Sequence, residues 1–455
     1  MLAIAFVAFW LLQDRGSELA APAPQPGVPL FEGGSEKTDP HVLMHVLLAL
    51  LVVIIAARLV GALFKRLQQP AVIGEVIAGI VLGPSVLGAI APTTMAYLMP
   101  PGVAPFLGII AQVGVVLFMF LVGIELDTTL LRKRTTASVA VSHASIVTPF
   151  VLGALLALLL YPKLSTSDVP FLVFALFLGV SMSVTAFPVL ARILIDRRMQ
   201  KSELGVIALT CAAVDDVTAW CLLALVVSVA RSQFAGALVT VALSVAFVGF
   251  MLLLVRPLLA RTFNEKRELT QMHMAFVFMG LLFSALATEA IGIHALFGAF
   301  LFGAIIPHDS SLGREVADKL TDVVVVLLLP AFFAFTGMRT AIGLVNGLEH
   351  WLLVGLIILV ATAGKLGGSF AAARLVGLDT RNAAALGVLM NTRGLMELIV
   401  LNVGLDLRVI SPTLFAMLVV MALVTTMATS PMLSLIMRPS REPVRRGSDP
   451  ASLAP

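Results

Sequence analysis

The chain has 455 residues, of which 59% are hydrophobic and only 12% charged, with a net charge of +4. Soluble domains carry about 25% charged residues, so the composition argues against a water-soluble domain. Apolar runs long enough to cross a bilayer recur from residue 41 to residue 437, and no alternating ten-residue barrel pattern accompanies them, which leaves an all-α polytopic membrane protein.

Residues 1–40 open on "MLAIAFVAFWLL", which is short for a span, and continue as an Ala/Pro/Gly-rich polar stretch. They read as a signal peptide or an extra N-terminal helix, followed by an external segment. About thirteen spans come next, at 41–63, 70–87, 103–123, 138–161, 170–191, 203–229, 235–256, 271–290, 293–307, 321–338, 350–373, 383–403 and 411–437. Residues 438–455 read as a disordered cytoplasmic tail. Two cysteines, Cys211 and Cys221, lie ten residues apart on one predicted helix. That is about 15 Å, too far for a mutual disulfide.

The basic residues sort by loop. Twenty-two of the thirty fall in one set of alternate loops and the C-terminal tail, and six in the other set. The positive-inside rule therefore puts the C-terminus in the cytoplasm and residue 40 outside. The basicity is topological, and no nucleic-acid surface is needed to explain it. Lys365 and Arg393 are the two basic residues left inside spans, with Glu75, Asp215, Asp216 and Glu397 as the acidic ones. Ionisable residues inside a membrane are costly and mark functional sites.

Two spans are interrupted. Span five holds "SMSVTAFPVLARIL" (181–194), with Pro188 in mid-segment, and span twelve holds "LMNTRGLMELIV" (389–400), with Asn391, Thr392, Arg393 and Gly394 at its middle. Proline removes a backbone donor, and glycine loosens a helix. The two spans are seven apart, so they cross in opposite directions. Broken helices at matching places in inverted halves point to a transport site. "EVIAGIVLGP" (75–84) and "HALFGAFLFGAIIP" (294–307), again seven spans apart, are a weak echo of the same repeat. Asp215 and Asp216 lie about thirteen residues into their span and Lys365 about fifteen into its own, so charges and breaks converge on one depth.

Each residue also has a plainer reading. The aspartates and Lys365 could form a structural ion pair. Arg393 and Glu397, spaced i, i+4, could pair on one helix and hold the broken segment together. Glu75 could partner Arg393 or another helix. Thr185 could offer an oxygen to a cation or bond its own backbone. An intramembrane aspartyl protease needs its two aspartates on different helices, and the HExxH zinc-protease spacing is absent, so an enzyme is disfavoured. A channel fits inverted broken helices less well than alternating access does. A sodium-coupled symporter on a similar scaffold is the nearest rival.

The motifs "PAVIGEVIAGIVLGPSVLG" (70–88), "FLVGIELD" (120–127), "VTAFPVLARIL" (184–194), "VDDV" (214–217), "GKLGG" around Lys365 and "NTRGLMELIVLN" (391–402) occur in this order. Together they resemble the monovalent cation:proton antiporter family, in the bacterial branch of sodium–proton exchangers and potassium-efflux antiporters. The resemblance covers residues 41–437. It implies the sodium–proton antiporter fold, with two crossed discontinuous helices, and a homodimer in the cell inner membrane. It also implies a mobile core (about 138–229 and 350–437) that moves like an elevator against a dimer domain (about 41–123 and 271–338). Asp216 is then the main cation and proton carboxylate, Asp215 its partner, Lys365 the coupling lysine paired with Asp215, and Thr185 a ligand. A double aspartate resembles the electrogenic members. The implied substrates are protons and Na⁺, with Li⁺ or K⁺ as alternatives, and no cofactor is expected. The potassium-efflux members' cytoplasmic nucleotide-binding domain is missing from this sequence.

Overall fold

The computed structural model describes residues 11–13, 16, 19, 21–22, 41–100, 102–125, 136–199, 202–231, 234–263, 270–307 and 310–437. The leader or extra helix expected within residues 1–40 falls almost wholly outside these residues, and the tail at 438–455 entirely so. The regular elements described are all helical. In chain order the principal ones are α1 (Val42–Arg66), α2 (Ala71–Leu82), α3 (Ala104–Glu125), α4 (Thr136–Leu164), α5 (Phe171–Ser183), α6 (Phe187–Asp196), α7 (Glu203–Arg231), α8 (Phe234–Phe250), α9 (Gln271–Ile291), α10 (Ala295–Ile305), α11 (Ser311–Val323), α12 (Leu329–Arg339), α13 (Gly347–Thr362), α14 (Gly368–Leu375), α15 (Thr380–Met390), α16 (Leu395–Asp406) and α17 (Pro412–Ile436).

Twelve helical segments among the described residues are long and apolar enough to cross a membrane. The ninth predicted span, at 293–307, is the one that falls short: it is the 11-residue α10. At about 1.5 Å per residue it covers roughly half of a hydrocarbon core. The span predicted at 321–338 begins earlier than expected, at Ser311, and runs through a π-helical turn (Val324–Leu328) into α12. That turn leaves main-chain carbonyls without the usual helical partner. Arg58 of α1 donates to two of them, Val325 O at 3.3 Å and Val326 O at 3.0 Å.

Both interruptions are real breaks. α5 ends at Ser183 and α6 starts at Phe187, with Val184 and Ala186 extended (ψ 135° and 94°). Pro188 then sits in the first turn of α6, where its missing N–H has no helical partner to lose. α15 ends at Met390 and α16 starts at Leu395. The two breaks touch. Ala186 N–H donates to Thr392 O at 3.0 Å. A Cβ on Gly394 would lie 2.7 Å from Val189 Cγ2, so this crossing needs a glycine there. The span holding the second break is 94% buried, against 11% for the peripheral span at Ala242–Arg261. Unwound backbone is tolerated at membrane depth only where protein or a cavity meets it, and the breaks lie where protein does.

The inverted repeat is visible in paired glycine contacts. Gly79 of α2 packs on the backbone of Ala334 in α12, and Gly337 of α12 packs back on Val76 of α2. In the other half, Gly303 of α10 packs on Phe120 of α3, and Gly123 of α3 packs on Phe300 of α10. Spans two and ten thus meet as spans nine and three do, through backbones close enough to exclude a side chain.

Candidate functional site

Asp215 and Asp216 are both buried on α7, and adjacent helical positions point about 100° apart. Their surroundings differ accordingly. Asp215 is saturated. Its Oδ1 accepts from Ser142 Oγ at 3.0 Å, and its Oδ2 accepts from Ser145 Oγ at 2.7 Å, Thr185 Oγ1 at 2.8 Å and Lys365 Nζ at 3.0 Å. A carboxylate offers about four acceptor sites, and four donors reach this one, three of them at Oδ2. Asp216 is the opposite case. Neither carboxylate oxygen has a hydrogen-bond partner among the described residues, and the backbone donor it faces is the N–H of Phe187, the first residue of α6. The N-terminal end of that half-helix carries partial positive charge.

The fold builds this asymmetry locally. Lys365 is fully buried within a π-helical turn, Ala363–Gly367, between α13 and α14; such turns are frequent at functional sites. The glycines on either side let α4 close on it. A Cβ on Gly364 would lie 2.9 Å from Pro149 Cα, and one on Gly368 would lie 2.7 Å from Thr148 Oγ1. One to two turns N-terminal of that contact on α4, Ser145 and Ser142 reach Asp215.

A second polar cluster ties the breaks together. Arg393, fully buried, donates to Ser181 O and Met182 O, each at 2.7 Å, and to Glu397 Oε2 at 2.9 Å. Those two carbonyls belong to the last turn of α5, the negative end of its dipole. Glu397 Oε1 accepts from Ser181 Oγ at 2.7 Å. Thr426 of α17 accepts from Arg393 N–H at 3.1 Å and donates to Arg393 O at 2.7 Å, which satisfies the loosened main chain from the other side.

Of the residues singled out in the sequence, Asp215, Asp216, Thr185 and Lys365 gather at one place, with Arg393 and Glu397 beside them. Glu75 does not join them. Arg393 is committed to Glu397 and the α5 carbonyls, while Glu75 lies on α2 facing α1, where a Cβ on Gly61 would be 3.5 Å from its Cγ. It makes no ion pair among the described residues. The Thr185 hydroxyl does not bond its own backbone; it donates to Asp215 and lies 3.2 Å from Met390 O, across the other break. Sequence reasoning missed Ser142 and Ser145. Their i, i+3 spacing on one helical face was the available signal.

The profile of the family described as "Sodium/hydrogen exchanger, transmembrane" matches residues 42–438. The Na(+)/H(+) antiporter NhaS4 of Synechocystis is 45% identical over 399 residues, covering 87% of this chain and 97% of that protein. The K(+)/H(+) antiporter 1 of Saccharomyces cerevisiae is 33% identical over 416 residues, 88% of this chain; this chain spans only 47% of the yeast protein. Among solved structures, the sodium proton antiporter MjNhaP1 of Methanocaldococcus jannaschii superposes with a TM-score of 0.63 at 15% identity, over 86% of this chain and 96% of that one. That likeness carries the fold. With the profile and the relatives, it makes the chain a member of the sodium/hydrogen exchanger transmembrane family.

Proposed function

We propose that the chain is a secondary monovalent cation:proton antiporter with Asp216 as the residue that alternates between cation and proton. The carrying observation is the contrast between two neighbouring carboxylates, one saturated by four donors and one with both oxygens free. Antiport needs a site that holds cation or proton, never both. A free carboxylate does this by competition, because protonation removes the charge that attracts the cation. Asp215 and Lys365 offset each other, which leaves the single charge of Asp216 for the cargo to neutralise. A bare charge is expensive to carry across an apolar barrier, so only the loaded site crosses. The unwound segments beside Asp216 suit alternating access around a fixed site.

Na⁺ is the favoured cargo, since a relative matched over 97% of its length is named a Na(+)/H(+) antiporter. K⁺ is the second reading, on the yeast relative's name. Thr185 adds a neutral oxygen to the site. Exchange is electrogenic, the reading the double aspartate supports, with Lys365 as the coupling lysine paired with Asp215. The protomer works as a homodimer in the inner membrane, its C-terminus in the cytoplasm, and the core (about 138–229 and 350–437) rides as an elevator against the dimer domain (about 41–123 and 271–338). In proteoliposomes carrying a pH gradient, added Na⁺ is expected to collapse the gradient with no organic solute present, and Asp216→Asn to abolish the response. Wild-type rates in that variant would remove Asp216 from the central role; a requirement for an organic solute would favour symport.

A further inference from the structure

Beside Asp216, two more buried oxygens at the crossing have nothing to bind among the described residues. Asn391 Oδ1 and Thr392 Oγ1 have no hydrogen-bond partner among the described residues. Asn391 is 3% exposed and Thr392 fully buried. Buried polar atoms are satisfied in the great majority of cases, and each exception calls for a reason. Others among the described residues, such as Gln69 Oε1 and Ser165 Oγ, are scattered, but these lie together. Met390 O faces Thr185 Oγ1, Thr392 O accepts from Ala186 N–H, and Asp216 faces the N–H of Phe187. Residues 390–392 and Asp216 therefore flank the same three-residue stretch, 185–187.

The chemistry of the cluster is one-sided. A carboxylate, an amide oxygen and a hydroxyl oxygen all accept; what is missing is something positive. Two of the other buried atoms without partners, Trp220 Nε1 and Arg393 Nε, are donors and cannot ligate a cation. Amide and hydroxyl oxygens are hard, uncharged ligands, the kind an alkali cation takes once its water is stripped. They also add coordination without adding charge, so one carboxylate still balances one monovalent ion.

We propose that Asn391 Oδ1 and Thr392 Oγ1 are ligands of the transported alkali cation, completing the site of Asp216 and setting its preference among Li⁺, Na⁺ and K⁺. This rests on the antiport reading above. The second broken helix then contributes side chains to the site, in addition to freed backbone.

The test uses the full chain in proteoliposomes and in detergent. Thr392→Val keeps the shape and removes the oxygen. It is expected to raise the KM for Na⁺ about tenfold, the worth of one contact to a charged group, while the maximal rate at saturating Na⁺ stays close to wild type. Asn391→Ala is expected to do the same and to change the ratio of KM values for Li⁺, Na⁺ and K⁺. Thr392→Ser restores the wild-type KM. In cation-free buffer Thr392→Val is expected to melt higher than wild type, because an unsatisfied hydroxyl is gone, and to gain less on adding NaCl. Should Asn391→Ala fail to fold, Thr392→Val carries the test alone. Unchanged KM values for all three cations overturn the proposal, as does Thr392→Ser behaving like Thr392→Val. A wild-type protein that exchanges no cation for protons removes the antiport reading and this assignment with it; exchange in the wild type with indifferent variants removes this assignment only.

Discussion

At the scale of single residues, the two aspartates differ by which neighbours reach them. Removing one partner of a buried ion pair commonly costs about 3–5 kcal/mol, because the other charge is stranded. Asp215 would not be stranded by loss of Lys365, since Ser142, Ser145 and Thr185 still hold it. Lys365→Gln is therefore expected to fold and to exchange with an altered proton-to-cation ratio, read from the voltage dependence of proteoliposome flux. Adding Ser142→Ala and Ser145→Ala to that variant is expected to cost more than the same two changes in wild type, by about 1.5–3 kcal/mol per hydrogen bond to the charge. Thermal unfolding of the four proteins checks it; simple additivity would show that the serines do not stand in for the lysine. The charges were legible in the sequence because charge inside an apolar span is rare. The serines were not, because most hydroxyls in membrane helices bond their own preceding turn, as Thr210 does to Val206 O and Thr218 to Val214 O. Only the tertiary contact separates Ser145 from those.

At the scale of elements, the breaks were readable and the π-helical turns were not. Pro188 and the Asn391–Gly394 run carry backbone signatures, whereas "AGKLG" at 363–367 has only glycines, which are common in membrane helices. Yet that turn is what seats Lys365. The sequence also hid how the breaks meet. Gly394 could be read as loosening a helix, but its role in the fold is to admit Val189. Gly394→Ala is expected to destabilise by about 1–3 kcal/mol, the usual cost of overpacking. Val189→Ala in the same chain is expected to recover most of that loss, since it removes the methyl group that clashes. Denaturation midpoints of the single and double variants decide; a double variant less stable than Gly394→Ala would mean the glycine serves backbone conformation instead of the crossing.

At the scale of the whole molecule, the inverted repeat could be inferred from span counting, but which helices move together could not, because both halves of the chain contribute to each proposed body. Among the described residues, polar contacts cross the proposed seam at two places: Gln69 Nε2 donates to Met427 O at 3.3 Å, and a larger network is centred on Arg339. Arg339 of α12 donates to Asp406 Oδ1 at 2.6 Å and to Asn402 Oδ1 at 3.0 Å, both on α16, and Asn402 Nδ2 donates to Thr336 Oγ1 of α12 at 2.8 Å. Arg339 also lies over the Phe335 ring, 5.5 Å from its centroid. The basic-loop sort puts Arg339 on the outer side, so this network would hold the outer seam closed, and an elevator step would break it once per cycle. Side-chain exposures of 13% and 38% make the Arg339–Asp406 pair only part-buried, which limits it to about 0.2–1 kcal/mol, or up to about fivefold in a two-state population. An apparent dissociation constant scales inversely with the fraction of protein in the competent state. Asp406→Asn is therefore expected to lower the KM for external Na⁺ by up to about fivefold and to raise the cytoplasmic-side KM, in vesicles of known orientation. Arg339→Gln is expected to shift the two KM values in the same direction and at least as far, since it also removes the contact to Asn402, and the double variant to add nothing beyond Arg339→Gln. A rise or fall on both sides together would mean that the pair tunes the site and does not lock the seam.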